Sequence, residues 1–500
     1  MLSLEHSFVK FNPNIVPNQK KSYKMYAAKN EYEACQIVVN HNCNINGVEL
    51  CFTPFTDSDK NELKTELFRE HYIVAARSGN APERTFPDPL VPVKDGEIFD
   101  IKPNENIPFL LRVKTETESV AGMYFAKVEL KQNGAVLETA DITLKVWDFA
   151  IPVEPACATA TLVSEEHIQK MHKCKSKEEL ETLYEKYFEL MREHRFNAYS
   201  LPVDVLDEAA DKYMDDPRVT AFRLDHKTDD EKIVAYRNKL CKNKKWLDKS
   251  YFYPFDEPCR VDQYEELKGM CERLRRLFPE CHICTPFFKD PQMNETQDAI
   301  DYITGLVDIW CPKAPCYNDE FIYENLELKE DTFENRMNER IKNGDRVWWY
   351  VCWEPEEPYC NVFLDRQGIY SRILFWQQAM YNVKGFLYWT VNFWKFVDDP
   401  WTDMATVKDL SLDVYGDGSM LYNGNKVGID GPCSSVRLEI VRDGLEDFEI
   451  LTIAQRVLGK QKVREIISKV TTSVTECIHD NDVFANVRVE LGEMLEAAMK

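Results

Sequence analysis

Along residues 1 to about 150, apolar side chains alternate with polar ones over short runs. Phe109, Leu111 and Val113 form one such series, Tyr124, Ala126, Val128 and Leu130 a second, and Ile142, Leu144 and Val146 a third. A period of two sends every second side chain to one face of a strand. Asn133-Gly134, between the last two runs, is a dipeptide that closes a tight hairpin. Short strands separated by turns predict an N-terminal β-sandwich over residues 1–153. The segment from Phe149 to Pro155 holds two prolines, which stiffen a connection and donate nothing to a sheet, and the boundary is placed there.

Beyond that boundary the period changes. Leu180, Leu183, Tyr184, Tyr187, Phe188 and Met191 recur at helical spacing, as do Tyr264, Leu267, Cys271, Leu274 and Leu277. Between such helices lie apolar runs at 158–163, 197–202, 219–224, 251–256, 282–288, 307–312, 346–352 and 385–391, of which those at 219 and 307 also read as loops. Strands alternating with helices in this number predict a (β/α)8 TIM barrel over residues 154–460. Its last helix is expected to begin at Ser434-Ser435, where a hydroxyl caps free N–H groups, and to run through Arg437, Arg442 and Phe448. Residues 461–500 read as a C-terminal helical extension packed on the barrel.

Apolar residues make up 44% of the 500-residue chain and charged residues 29%, the balance of a folded globular protein. A formal net charge of -23 repels polyanions, which excludes nucleic acid and an anionic membrane surface as partners and favours a neutral ligand. No window reaches the ~18 consecutive apolar residues of a membrane span. The opening Met1-Leu2-Ser3-Leu4-Glu5-His6 lacks the basic-then-apolar pattern of a secretory signal, and the cysteines are scattered as reduced core thiols would be. Both features point to a cytoplasmic protein. Cys281-His282-Ile283-Cys284, with Cys311 and Cys316 downstream, is the nearest approach to a metal signature. In a strand its alternate side chains diverge, so core cysteines are the preferred reading, and no metal or cofactor is expected.

In a barrel, reacting groups gather where the strands end. Tyr251-Phe252-Tyr253-Pro254-Phe255-Asp256-Glu257-Pro258 places two acids at the end of the fourth strand. Aromatic neighbours desolvate a carboxyl and a nearby like charge acts in the same direction, so one of the pair is suited to donate a proton near neutral pH. The same acids also suit the start of the following helix, where Asp262 is a further cap candidate. The seventh strand ends Trp348-Trp349-Tyr350-Val351-Cys352-Trp353, and the eighth runs Tyr388-Trp389-Thr390-Val391-Asn392-Phe393-Trp394. Such rings offer flat faces to the C–H surface of a sugar and polar edges to its hydroxyls. Alternation cannot turn all of them inward. Tyr350, Trp389 and Trp394 are assigned to the pocket, and Trp353, Asn361 and Asn392 to its loops as stacking or hydrogen-bonding groups. Trp348, Trp349, Trp376 and Tyr388 are left to the core.

These residues resemble glycoside hydrolase family 123, a group of β-N-acetylgalactosaminidases with a β-sandwich ahead of a catalytic barrel. The likeness spans much of residues 100–455. It rests on Tyr253 to Pro258, Trp348-Trp349-Tyr350, Asn361 to Asp365 with Arg372 and Trp376, and Gly385 to Trp389 with Asn392 and Trp394. Ser435 to Glu439 with Arg442-Asp443-Gly444 complete the series.

The resemblance implies a retaining exo-glycosidase that removes terminal β-linked N-acetylgalactosamine with help from the substrate's own 2-acetamido group. It assigns Glu257 as general acid and then base, and Asp256 as the acceptor that orients the acetamido N–H. Two other readings stay open. One is a glycosidase for sugars without an acetamido group, using a second carboxylate such as Asp308, Glu354 or Glu356. The other is a carbohydrate-binding protein without turnover.

Overall fold

The alternating runs of the first 150 residues build two five-stranded sheets. One is antiparallel throughout, in the spatial order Leu2–His6, Tyr32–Val39, Ile107–Lys114, Lys64–Ala75, Arg84–Pro92. The other runs Ser22–Lys29, Ala135–Ala150, Gly122–Gln132, Ile45–Phe52, Ile98–Ile101, and only its first pair is parallel. The Asn133-Gly134 hairpin is present, with Gln132 paired to Ala135. Phe109, Leu111 and Val113 meet Val128, Leu130, Ile142, Leu144 and Val146 in the core between the sheets. The opposite side of the first sheet is also buried: Ala34, Phe68, Leu90 and Leu110 pack into the large core that lies under the helices.

The computed structural model describes residues 1–13, 15–75, 84–287, 298–323, 331–402, 404 and 415–500. After the proline-rich connection, strands and helices alternate as their periodicities require. Five parallel strands lie in the order Ala158–Leu162, Gly385–Thr390, Arg346–Val351, Ile309–Pro312, Cys284–Phe287. Phe222–Leu224 and Ser250–Phe252 form a separate parallel pair. The expected barrel thus has regular ladders in groups of five and two, and single contacts join them. These are the parallel bridges Thr161↔Ala198 and Phe252↔Ile283 and the bond from the Arg223 N–H to the Tyr199 carbonyl, 2.8 Å. The run at 197–202 makes no strand of its own, and Pro202 at its end has no N–H to give. The runs at 219 and 307 do form strands, and the end of the 282–288 run, residue 288, lies outside the described residues.

One interior cluster gathers Ala160, Tyr199, Ala221, Tyr251, Cys284, Ile309, Cys311, Trp348, Tyr350 and Leu387, so that each of the eight predicted runs contributes to it. Cys281 faces the opposite way, into the helix-side core, as alternation requires. All sixteen cysteines are free thiols. Ser435 caps the helix Val436–Val457 through its hydroxyl, which accepts the Leu438 N–H at 3.1 Å. The terminal helix Asn481–Met499 packs on the helix Gly368–Met380, with Phe484 edge-on to Trp376. It also reaches the sandwich, where Lys145 bonds Glu493 and Glu496 at 2.8 and 2.9 Å. No helix among the described residues is long and apolar enough to cross a membrane.

Candidate active site

Parallel strands deliver their following loops to the same end of the sheet, and the candidate residues meet there. Asp256 and Glu257 follow Ser250–Phe252. Lys313 follows Ile309–Pro312, Trp353 and Glu354 follow Arg346–Val351, and Trp389 lies near the end of Gly385–Thr390. The acids do not cap the next helix. Val261–Leu277 starts at Arg260 with no side-chain cap, and Asp262 sits in its first turn, paired to Arg260 at 3.0 Å.

Two phenols of the interior cluster anchor the two carboxyls. The Tyr253 hydroxyl donates to Asp256 Oδ1 at 2.5 Å, and the Tyr350 hydroxyl donates to Glu257 Oε1. In extended chain, successive side chains point to opposite faces. Glu257 escapes that rule through a left-handed backbone, φ +48°, which is uncommon for a residue with a β-carbon and costs on the order of 1–3 kcal/mol. The strained residue is the means by which neighbours in sequence both reach rings of the same interior.

Their surroundings differ. Asp256 is exposed, whereas Glu257 is half-buried. Burial pushes the Glu257 carboxyl above the usual range, and the charges of Asp256 and Glu354 act in the same direction. The Tyr350 hydrogen bond and the Lys313 ammonium oppose them. Lys313 is itself 5% exposed and reaches Glu354 at 3.2 Å. The result is an acid that holds its proton to higher pH than an ordinary glutamate, beside a second, exposed carboxyl.

An aromatic wall stands at the end of Gly385–Thr390. Trp389 is half-buried, with Trp353 edge-on at 6.2 Å and Phe393 tilted at 4.8 Å between ring centres. Phe396, 46% exposed, continues the series outward from Phe393 at 5.8 Å. The indole N–H of Trp389 donates to the buried Asp417 at 3.0 Å. Cys352 ties the parts into one neighbourhood, because its thiol feels the charges of Lys313, Asp417, Glu257 and Asp256.

Of the residues expected from sequence, Asp256, Glu257, Tyr350, Trp353 and Trp389 are brought together. Asn361 and Asn392 are buried and spend their amides on backbone. Asn361 donates to the Pro355 and Cys352 carbonyls at 3.1 and 3.4 Å and accepts the Val362 N–H at 2.7 Å, which holds the loop bearing Trp353. Asn392 bonds both the N–H and the carbonyl of Ser164, at 2.8 and 3.1 Å. Trp394 lies elsewhere: its ring is fully buried in the helix-side core. The strand ends at Thr390, so the alternation that assigned Trp394 to the pocket no longer applies. Asp308 precedes its strand and stands at the opposite end, bonded to Arg275 and to the Ile283 N–H. Lys313, Phe393 and Asp417 were missed. Only Gly416-Asp417-Gly418 carries a local signal, and that signal is of a turn.

A search of curated proteins finds no match. Among solved structures, a family 123 glycoside hydrolase from Clostridium perfringens, described for glycolipid glycan hydrolysis, aligns over 100% of this chain and 98% of its own. Its TM-score is 0.70 at 13% identity, which establishes a shared fold. A family 39 glycoside hydrolase from the gut symbiont Bacteroides cellulosilyticus aligns over 85% of this chain and 82% of its own, with TM-score 0.32 and 11% identity, too remote to carry an argument. The sequence of residues 163–454 matches the family model described as the glycoside hydrolase 123 catalytic domain, the stretch that holds both carboxyls and the aromatic wall. On that match over more than half its length, the chain belongs to glycoside hydrolase family 123.

Proposed function

We propose that this glycosidase removes terminal β-linked N-acetylgalactosamine with retention, using the substrate's 2-acetamido oxygen as the nucleophile. The observation that carries the reading is the pair of adjacent carboxyls held by phenols of one interior but placed in unlike surroundings. Glu257, whose burial strengthens its hold on the proton, donates to the departing glycosidic oxygen and then, as carboxylate, activates water. Asp256 accepts the acetamido N–H, turns the carbonyl toward the anomeric carbon and balances the positive charge of the oxazolinium intermediate. An ordinary retaining enzyme needs carboxyls about 5 Å apart across the sugar ring, and residues adjacent in sequence suit that arrangement poorly. An internal nucleophile removes the requirement and gives the attack an intramolecular advantage. Trp389, flanked by Trp353, is the surface on which the sugar is held.

The same reading takes the ladders and bridges as one closed (β/α)8 barrel at residues 154–460, preceded by a sandwich at 1–153 and followed by an extension at 461–500. The solved relative's action on glycolipid glycans supports a glycan substrate here. A cytoplasmic setting, with glycan fragments as substrates, is favoured by the unpaired thiols.

Aryl glycosides with 2-acetamido and 2-hydroxy sugars, assayed on the wild type, Glu257→Gln and Asp256→Asn, test the proposal. Turnover of the acetamido substrate should fall by about 10²–10⁴ in each variant. Equal activity on 2-hydroxy sugars would remove the acetamido group from the mechanism and point to Glu354 as the second carboxylate.

A further inference from the structure

The turn from Tyr415 to Ser419 takes no part in the chemistry above, yet it is fitted closely to the strand Gly385–Thr390. Asp417 is fully buried, and its two oxygens accept from the Tyr388 hydroxyl at 2.8 Å and the Trp389 indole N–H at 3.0 Å. The Gly418 N–H donates back to the Tyr388 oxygen at 2.8 Å, and its carbonyl accepts the Phe393 N–H at 2.8 Å. Both flanking glycines have left-handed backbones, φ +68° and +69°. A β-carbon on Gly418 would lie 2.4 Å from Trp389 Cζ2, so this stretch of backbone rests directly on the indole. A β-carbon on Gly416 would come within 2.8 Å of the Arg437 guanidinium.

Arg437 holds the turn from beneath. It donates to the Gly416 carbonyl at 2.6 Å and to that of Ser419, and it pairs with Asp88 at 2.8 Å, both side chains wholly buried. Asp88 belongs to Arg84–Pro92, a strand of the sandwich. A connected path therefore runs from the sandwich through Arg437 and the turn to the ring on which the sugar is proposed to rest.

We infer that Asp417 is a positioning residue for carbohydrate recognition, its carboxylate fixing the plane of Trp389 against which the sugar binds. The inference rests on the reading of Trp389 as the sugar platform. An indole has a single donor, and a charge-assisted bond from it to an immobile carboxylate removes its freedom to tilt. A carboxylate serves better than an amide because it accepts from both donors, the phenol and the indole, and presents no donor of its own. A platform already in place spares the ordering that would otherwise oppose binding.

The test compares KM and kcat on an aryl β-N-acetylgalactosaminide for Asp417→Asn, Trp389→Phe, the double variant and Trp389→Ala. Asp417→Asn should raise KM about tenfold with kcat within about threefold, since binding rather than the chemical step is affected. Trp389→Phe keeps a flat ring without the N–H, so the double variant should be no worse than the poorer single one. An unchanged KM in Asp417→Asn while Trp389→Ala raises it, or losses that multiply in the double variant, would overturn the positioning role and leave the platform standing. An unchanged KM in Trp389→Ala would remove the platform, and the inference with it.

A spectroscopic measurement on the wild type decides the matter should Asp417→Asn not fold. Burial pushes the Asp417 carboxyl up to about 6 against the bonds from Tyr388 and Trp389 and the charges of Arg437 and Lys313. The Cys352 thiol also lies within its field. The Trp389 indole N–H resonance, assigned by its loss in Trp389→Phe, should move as pH falls through about 6. A resonance that exchanges with solvent as fast as that of an exposed indole, and is indifferent to pH in that range, would overturn the inference.

Discussion

Glu257 combines a strained backbone with a tuned carboxyl, and Tyr350 touches both properties by holding the side chain in place. The phenol stabilises the carboxylate form and so restrains the rise that burial causes. The sign of a substitution follows. Tyr350→Phe removes the restraint, the Glu257 pKa rises further, and the proton needed for the leaving group is kept to higher pH. The alkaline limb of kcat/KM should therefore move upward, by about one pH unit for a bond worth about 1.4 kcal/mol, even as the maximum rate falls. A pH–rate profile of the variant checks this, and a downward move would contradict the general-acid role. The Asp256-Glu257 pair was legible in the sequence, because adjacent acids beside proline at a strand end form a local pattern. The phenol that tunes Glu257 stands 93 positions away, and no local pattern links the two.

Loops at the strand ends are held by buried amides, and here an element depends on one side chain. Asn361 fixes the connection between Arg346–Val351 and the helix Gly368–Met380, and with it Trp353. Asn361→Ala should lower stability by about 1–3 kcal/mol, since partner groups in a buried loop are left unmatched. It should also raise KM, because Trp353 loses its support. Thermal unfolding and steady-state kinetics on the same preparation separate the two effects. The element boundaries themselves were largely readable: the helix over Lys177–Glu193 and that over Val261–Leu277 follow their apolar spacing. Spacing failed where a strand stopped early. Trp394, four residues beyond Thr390, turned into the core instead of the mouth.

Across the whole molecule, the sandwich, the helices Gly368–Met380 and Val436–Val457 and the terminal helix share a buried set of charges. Asp447 accepts from Arg372 at 2.7 Å, Trp376 at 3.0 Å and Arg488 at 2.6 Å. Arg488, on the terminal helix, also reaches the sandwich through Glu31 and the Tyr26 carbonyl, the latter at 2.9 Å. Breaking such a set by removing one member strands the others, at a cost of about 3–5 kcal/mol. Arg488→Ala should shift the denaturant midpoint of the sandwich and the catalytic domain together; an unaltered midpoint would show that the set does not couple them. The sequence alone determined the two periodicities, the order of strands and helices, a helix cap at Ser434-Ser435 and the acid pair, because each depends on residues a few positions apart. Tertiary structure alone decided which loops converge: Lys313 beside Glu354, Tyr350 on Glu257, Asp417 under Trp389, and Asp88 behind Arg437. Local pattern tells a side chain which face of its element to occupy, and only packing tells it what waits on that face.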